Sequence, residues 1–214
     1  MKAIRLCCSG LMFLAILMYG CGIAIAQKKS HTPSPQHKDF YHLLADAGLT
    51  FAYPQGFMEI SAVNDEDFSF DFAMELPSQD FEVWVQVKSQ KQNWTSYLHA
   101  QHDSKAQLAN PDSIYLDIGK ADAIALSGDT SFWARNMPPD VLARYNADAG
   151  KSYLLNLLDL PETSHYKYAL IVTLQKNHTG TLVAIYFTNQ KDPDFYKNVS
   201  RASRCFRFKP VAAN

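Results

Sequence analysis

Cysteine is scarce in this chain. Four occur in 214 residues, at positions 7, 8, 21 and 205, and three of them fall in an N-terminal stretch with the features of an export signal. Once that stretch is removed, Cys205 stands alone. No internal disulfide is then possible, so apolar packing must hold the fold. Cys205 sits between Arg204 and Phe206 in "RASRCFRFK" and reads as a small buried hydrophobe rather than a reactive thiol. An excess of either charge is lacking too. Lys and Arg number 20, Asp and Glu 21, and loss of Lys2 and Arg5 takes the net charge from −1 to −3. Such a balance offers no field for nucleic acid or anionic lipid. No G-x-S-x-G, H-E-x-x-H, G-x-x-x-x-G-K or G-x-G-x-x-G string occurs, which argues against several enzyme classes, although convergent sites need no such string.

A long uninterrupted apolar run is also missing. Leu11–Tyr19 is the N-terminal candidate, well short of the roughly 20 residues that span a bilayer. Lys2 and Arg5 precede it and Ala24-Ile25-Ala26 follows as a small-x-small cleavage pattern. Basic start, greasy middle and small end make residues 1–26 a secretory signal peptide. Cys21 after Gly20 supplies the alternative of a lipid anchor. Met18 and the bulky Tyr19 stand where a branched aliphatic and a small residue would be expected, and a mature chain opening at Cys21 would begin greasy. Cleavage after Ala26 leaves the polar Gln-Lys-Lys-Ser. The expected location is periplasmic or extracellular, with no membrane span in the mature chain; the alternative is lipid-anchored through Cys21.

What remains has the length for one good core. Residues 27–39 hold two prolines and read as a flexible leader, so a single α+β domain is expected over 40–214. "DFYHLLADAG" reads as a short helix ending at Gly48. "LTFAY", a turn at Pro54-Gln55-Gly56 and the returning "FMEISA" read as a hairpin. In "DFSFDFAMEL", Phe68, Phe70, Phe72, Met74 and Leu76 alternate onto one face. "FEVWVQVK" repeats the rule with Phe81, Val83, Val85 and Val87 inward. Helices are expected from Asn93 and from Pro111 to Gly128, the second with a stripe of Ile114, Ile118, Ala121 and Ala125. Residues 129–150 read as a long loop with a short helical turn. "KSYLLNLLDL", "HYKYALIVTLQ" and "TLVAIYFTN" read as strands, with Gly180 available for positive φ between the last two. Those two runs are apolar on both faces, so both faces of the sheet should be covered. A helix from Asp192 and the strand "CFRFK" close the chain. Grouped strands favour a mainly antiparallel sheet covered by helices.

The pieces resemble the PsbP-like α/β/α sandwich: "LTFAYPQGF" is similar to its opening hairpin, and the final helix and strand to its ending. "YNADAG" followed by "YKYALIVTLQKNHTGTLVAIYF" also resembles a family of uncharacterised secreted proteins of Gram-negative bacteria. There an aromatic-Asn-Ala-Asp core is followed by a Trp, where this chain has Ala149. The resemblance spans Leu49 to Lys209. PsbP-like domains mostly bind partners rather than catalyse, so it implies a binding role.

Candidate chemistry is sparse. His99, His102 and Asp103 share a helix side and could meet one metal ion, but structural zinc needs four ligands; a solvated helix end is the plainer reading. Ser164-His165-Tyr166-Lys167 matches S-x-x-K and His178-Thr179-Gly180 resembles its K-T-G companion, yet the first leads into a strand instead of lying on a helix. Asp65-Glu66-Asp67 reads as a solvated acidic turn, not a calcium cage. The three N-x-[ST] sequons matter only in a host with N-linked glycosylation. Trp84 alternates outward with Glu82 and Gln86, where an exposed ring could stack on a partner unless the sheet face is covered. Asn146 and Asp148 are expected to shape their loop and are candidate binding residues. Phe132, Trp133 and Met137 make that loop unusually greasy for a surface segment.

Two functions follow. The preferred one is a non-catalytic envelope module, without cofactor, that takes a protein or small-molecule ligand through Trp84, Trp133, Asn146 and Asp148. The other is a hydrolase or metal-dependent enzyme whose site assembles His165, His178 and Asp148 from a distance. The intact mass of the mature protein should match a chain beginning at Gln27; a diacylglycerol on Cys21 would overturn that cleavage site.

Overall fold

Ser34 accepts a hydrogen bond from the amide of His37 at 2.9 Å, and Pro35 follows it. This pair starts a helix, because proline at the first helical position gives up an amide that has no partner there anyway. In the computed structural model, which describes residues 34–66, 68–101 and 108–210, α1 runs Pro35–Asp46. It therefore begins inside the segment read as leader, and buried Phe40 and Leu44 anchor it. The export signal, Cys21 and most of the leader lie outside the described residues.

Strand β1, Leu49–Phe51, does not form the expected hairpin with β2, Met58–Ile60. It pairs antiparallel with the last strand, β9, Phe206–Phe208, in register Leu49↔Phe208 and Phe51↔Phe206. Both strands bury their outer residues and expose the middle one, and Phe51 stacks on Phe206 at 5.0 Å. The match of two short apolar faces outweighs nearness in sequence. Strand β2 pairs instead with β3, Phe72–Glu75.

The remaining elements are β4, Phe81–Ser89; α2, Lys91–Ala100; a 3-10 turn, Pro111–Ser113, leading into α3, Ile114–Ser127; β5, Trp133–Asn136; α4, Pro139–Tyr145; β6, Ala149–Asn156; β7, Tyr168–Lys176; β8, Gly180–Thr188; and α5, Pro193–Ser203. Among the described residues, β2 to β8 make one sheet in the order β2-β3-β4-β8-β7-β6-β5, and every neighbouring pair is antiparallel. The fold is α+β, a mainly antiparallel sheet with helices on it. Strand β8 is buried at all nine positions, so the sheet carries a layer on each face, as its two-sided apolar sequence requires.

On the first face, Phe72, Met74, Val83, Val85 and Tyr186 pack under α1, α4, α5 and the β1–β9 ribbon. On the second, Trp84, Ile171, Ile185 and Phe187 pack under Ala123 and Leu126 of α3. Helix α3 meets the sheet through Gly119, Ala123 and Leu126; Ala121 and Ala125, expected in its stripe, are exposed. The small side is the correct one because the helix lies so close. A Cβ on Gly119 would come within 2.5 Å of Thr173 Cγ2 and 2.8 Å of the Tyr153 ring.

The expectation that Phe68, Phe70, Phe72, Met74 and Leu76 share one face fails at Asp71. Phe68 and Phe70 belong to the second core, Phe72, Met74 and Leu76 to the first. Residues 63–70 form a small hairpin of their own, with Phe70 N donating to Val63 O at 3.1 Å and Asp65 N to Phe68 O at 2.9 Å. Asp71 then joins β4: its amide donates to Val85 O at 2.9 Å and its carboxylate accepts from the Val87 amide at 2.7 Å. The hairpin folds back over the sheet and places Phe70 5.0 Å from the Trp84 ring. Trp84 is consequently 1% exposed, and burying so large a ring contributes on the order of 3 kcal/mol. Its indole N–H donates to Glu82, also buried, at 2.5 Å.

Positive φ in the β7–β8 turn belongs to His178 (60°), not Gly180. Gly180 is needed for room, since a Cβ there would sit 2.7 Å from Ala47 O. Cys205 is buried as expected, and burial pushes its thiol up to about 11. No helix among the described residues is long and apolar enough to cross a membrane.

Candidate functional site

The 129–150 segment contains a strand that its sequence did not announce. Phe132 turns into the second core, 5.6 Å edge-on to Tyr153; Met137 packs against the first. Between these anchors the chain is pulled straight as β5, paired with β6 in register Trp133↔Leu154, Ala134↔Tyr153, Arg135↔Ser152 and Asn136↔Lys151. Pro138 and Pro139 end the strand and begin α4.

Among the described residues strand β5 is the last of its sheet, with β6 as its one strand neighbour, and all four of its residues are exposed. Met137 N donates to Gly150 O at 2.9 Å. Because antiparallel bonding alternates along a strand, Arg135 and Trp133 also bond inward to β6, and the backbone groups of Ala134 and Asn136 point outward. Side chains alternate as well, so Trp133 and Arg135 share the first face. Trp133 is 54% exposed and the Arg135 guanidinium lies 5.4 Å from its ring, within cation–π range. Leu154 beneath Trp133 and Leu170 beyond it are only partly buried. At this end of the sheet the first-face layer thins, leaving the indole exposed beside partly buried aliphatic side chains. Arg135 and Lys151 form no ion pair with a described residue.

The other candidates scatter. Trp84 is buried and offers no ring to a ligand. Asn146 takes the left-handed conformation (φ 52°) that ends α4, and its Nδ2 donates to Phe208 O at 3.1 Å. Asp148 accepts from Lys176 Nζ at 2.8 Å and from the Asn177 amide at 2.9 Å. Both therefore fasten the loop to strands, as their residue types suggest.

His165 lies in the loop before β7, with Nδ1 2.5 Å from Asp159 Oδ1, beside an open hollow of about 630 Å³ lined by Asn156, Tyr166, Lys167 and Tyr168. His178 is at the opposite end of β7, stacked 3.7 Å from the Trp94 ring with Nε2 3.2 Å from Asp112 Oδ2. Nine strand residues separate the two ends, roughly 27 Å; Asp148 lies at the His178 end, bonded to the Asn177 amide, and His165 does not join them. Ser164 is in a turn and Lys167 at a bend just before β7, neither on a helix. His99 is on α2, whereas His102 and Asp103 lie outside the described residues. Among the described residues no group of three His, Cys, Asp or Glu is placed to hold a metal.

Sequence reasoning missed Arg135 and the open edge. The signal was present in "FWARNM": two large apolar residues five apart must face opposite ways on an extended segment, which leaves the residues between them strung across an edge. It also passed over Asp122 of α3. The carboxylate oxygen Oδ2 is buried with no hydrogen-bond partner among the described residues. Burial pushes the group up to about 6, against the opposing pull of Lys88.

No protein-family model matches the chain, and no curated protein does. Among solved structures, the chain is similar to the solution structure of cyanobacterial PsbP (CyanoP) from Synechocystis sp. PCC 6803, at 15% identity and a TM-score of 0.38, over 76% of this chain and 88% of that one. A likeness at that level carries no activity from one chain to the other.

Asp122 of α3, over the second face, gives the fold a pH signature. Its folded value is above that of the unfolded carboxyl, so its stabilising contribution is complete below about pH 4 and is lost as the pH rises through about 6. Urea unfolding of Asp122→Asn should match the parent at pH 4 and be more stable at pH 7.5, by at most about 3 kcal/mol. Equal stability of the two proteins at both pH values would contradict this.

Proposed function

We propose that this protein is a non-catalytic binding module of the cell envelope, exported by its first 26 residues, that takes a protein or small-molecule ligand on the Trp133 surface at the β5 end of the sheet. The observation that carries the reading is the Trp133 indole itself. It stands more than half exposed on a strand, with Leu154 opposite it in register and flanked by an arginine that has no ion-pair partner among the described residues. Large aromatics and arginine are the side chains that most often dominate binding energy at interfaces. A ring fixed by a strand pays little conformational entropy on contact, unlike one on a mobile loop. His165 lies at the far end of β7 from His178 and Asp148, so the enzymatic alternative has no comparable support.

The export part of the proposal rests on Lys2, Arg5, the short apolar run and Ala24-Ile25-Ala26. It is compatible with a domain whose single sulfhydryl after Ala26, Cys205, is buried.

Affinity capture from the native envelope tests the binding face, with parent, Trp133→Ala and Tyr196→Ala proteins as baits. Tyr196 is a second exposed aromatic, on α5. A ligand held by the parent should fall by roughly tenfold or more with Trp133→Ala, the loss of about one hot-spot residue, and be unchanged with Tyr196→Ala. Equal capture by all three baits would remove Trp133 from the binding face.

A further inference from the structure

We infer that the outer edge of β5 takes an extended acidic peptide as an added antiparallel strand; the inference rests on the Trp133 surface being the binding face and names the mode and the partner chemistry.

Its first support is the contrast between the two ends of the sheet. An exposed edge is a template for another chain, and proteins usually blunt it. The β2 edge is blunted. Gln36 of α1 lies along it, with Nε2 donating to Ile60 O at 2.9 Å and Oε1 accepting from the Ala62 amide at 2.8 Å. One side-chain amide thus fills the donor and acceptor positions that a further strand would use. The β5 edge has no such plug among the described residues. Ala134 and Asn136 turn their backbone donors and acceptors outward, enough to pair one short strand. Chain addition at an edge draws its affinity from such main-chain bonds and its selectivity from neighbouring side chains.

The second support is charge. Arg135 on one face of the edge and Lys151 on the other, opposite Asn136, have no carboxylate partner among the described residues. A strand laid against β5 would bring its own side chains directly beside Arg135, with Lys151 one strand further in on the opposite face, and acidic ones complement this positive end of the sheet. The same charges disfavour a second copy of this chain. The two-fold register that engages both Ala134 and Asn136 sets Arg135 directly opposite its own copy, like charge against like. Trp133, on the face of Arg135, would cover an apolar side chain of the incoming strand.

The probe is an acetylated, fluorescein-labelled peptide repeating Glu-Glu-Val-Val, so that each face of the extended strand carries both glutamate and valine, titrated at low salt and followed by anisotropy; the Lys-Lys-Val-Val counterpart is the control. Amide exchange of Ala134 and Asn136 and the Trp133 indole N–H resonance are read on the same samples. The acidic peptide should bind at least about tenfold more tightly than the basic one. At saturation it should slow exchange of both amides by about fivefold or more. Arg135→Glu, which leaves the backbone intact, should reverse the preference between the peptides. Ala134→Pro, which removes an outward donor, should weaken binding with the thermal melt retained; if Ala134→Pro does not fold, the Arg135→Glu reversal and the exchange data decide. A shifted Trp133 resonance with unprotected amides overturns strand addition while the binding face stands. No shift and no protection overturn both. Protection without peptide that rises with protein concentration overturns the peptide occupant in favour of a second copy.

Discussion

Strands β7 and β8 carry apolar side chains on both faces, and everything else in the molecule answers that constraint. A sheet with two dry faces is stable only between two layers. Four separate pieces supply the first: α1, α4, α5 and the ribbon made by joining the two ends of the domain, β1 with β9. Helix α3 and two loop segments, near 63–70 and 157–166, supply the second. The segments over the second face differ in thickness. Helix α3 reaches the sheet only because Gly119 has no side chain, while Phe68 and Phe70 fill the deeper gap over Trp84. Where the first layer thins, at β5, the sheet shows an indole and an edge to the outside.

Local signals in the sequence were read correctly where they act locally. The alternation of Phe81, Val83, Val85 and Val87 set the inward face of β4; Asp192 caps α5 by accepting from the Phe195 amide at 2.8 Å; Gly128 ends α3 in the left-handed conformation. What was not legible depends on contacts distant in sequence. The alternation from Phe68 to Leu76 is perfect as a pattern, yet the chain changes face at Asp71, whose carboxylate takes the place of a ladder carbonyl for Val87. That one exchange breaks the common face of the phenylalanines and supplies the cover over Trp84. The β1–β9 pairing is invisible to any local window, because its warrant is a stack between Phe51 and Phe206. The α3 stripe misled because a hydrophobic reading favours Ile and Ala, while close approach to Thr173 and Tyr153 selects the side of the helix that carries glycine.

The candidate site follows from the same geometry. Histidines that look promising in sequence end at opposite ends of β7, each with an aspartate and each in a left-handed turn residue. Asn146 and Asp148, flagged as loop formers, are bonded to Phe208 and to the β7–β8 turn. Of the two candidate tryptophans, Trp133 is the one left exposed, with Arg135 beside it. Its strand exists because Phe132 and Met137 are fixed in opposite cores, so the site's rigidity comes from the two-sided burial that defines the sheet.

Native-state amide hydrogen exchange of the unliganded protein tests that dependence most directly. Amides in β4, β7 and β8 should exchange only through global unfolding, and within β5 the inward amides of Trp133 and Arg135 should be protected while those of Ala134 and Asn136 exchange rapidly. Fast exchange throughout β8, or uniform protection across all of β5, would contradict a two-sided core that leaves this one edge open.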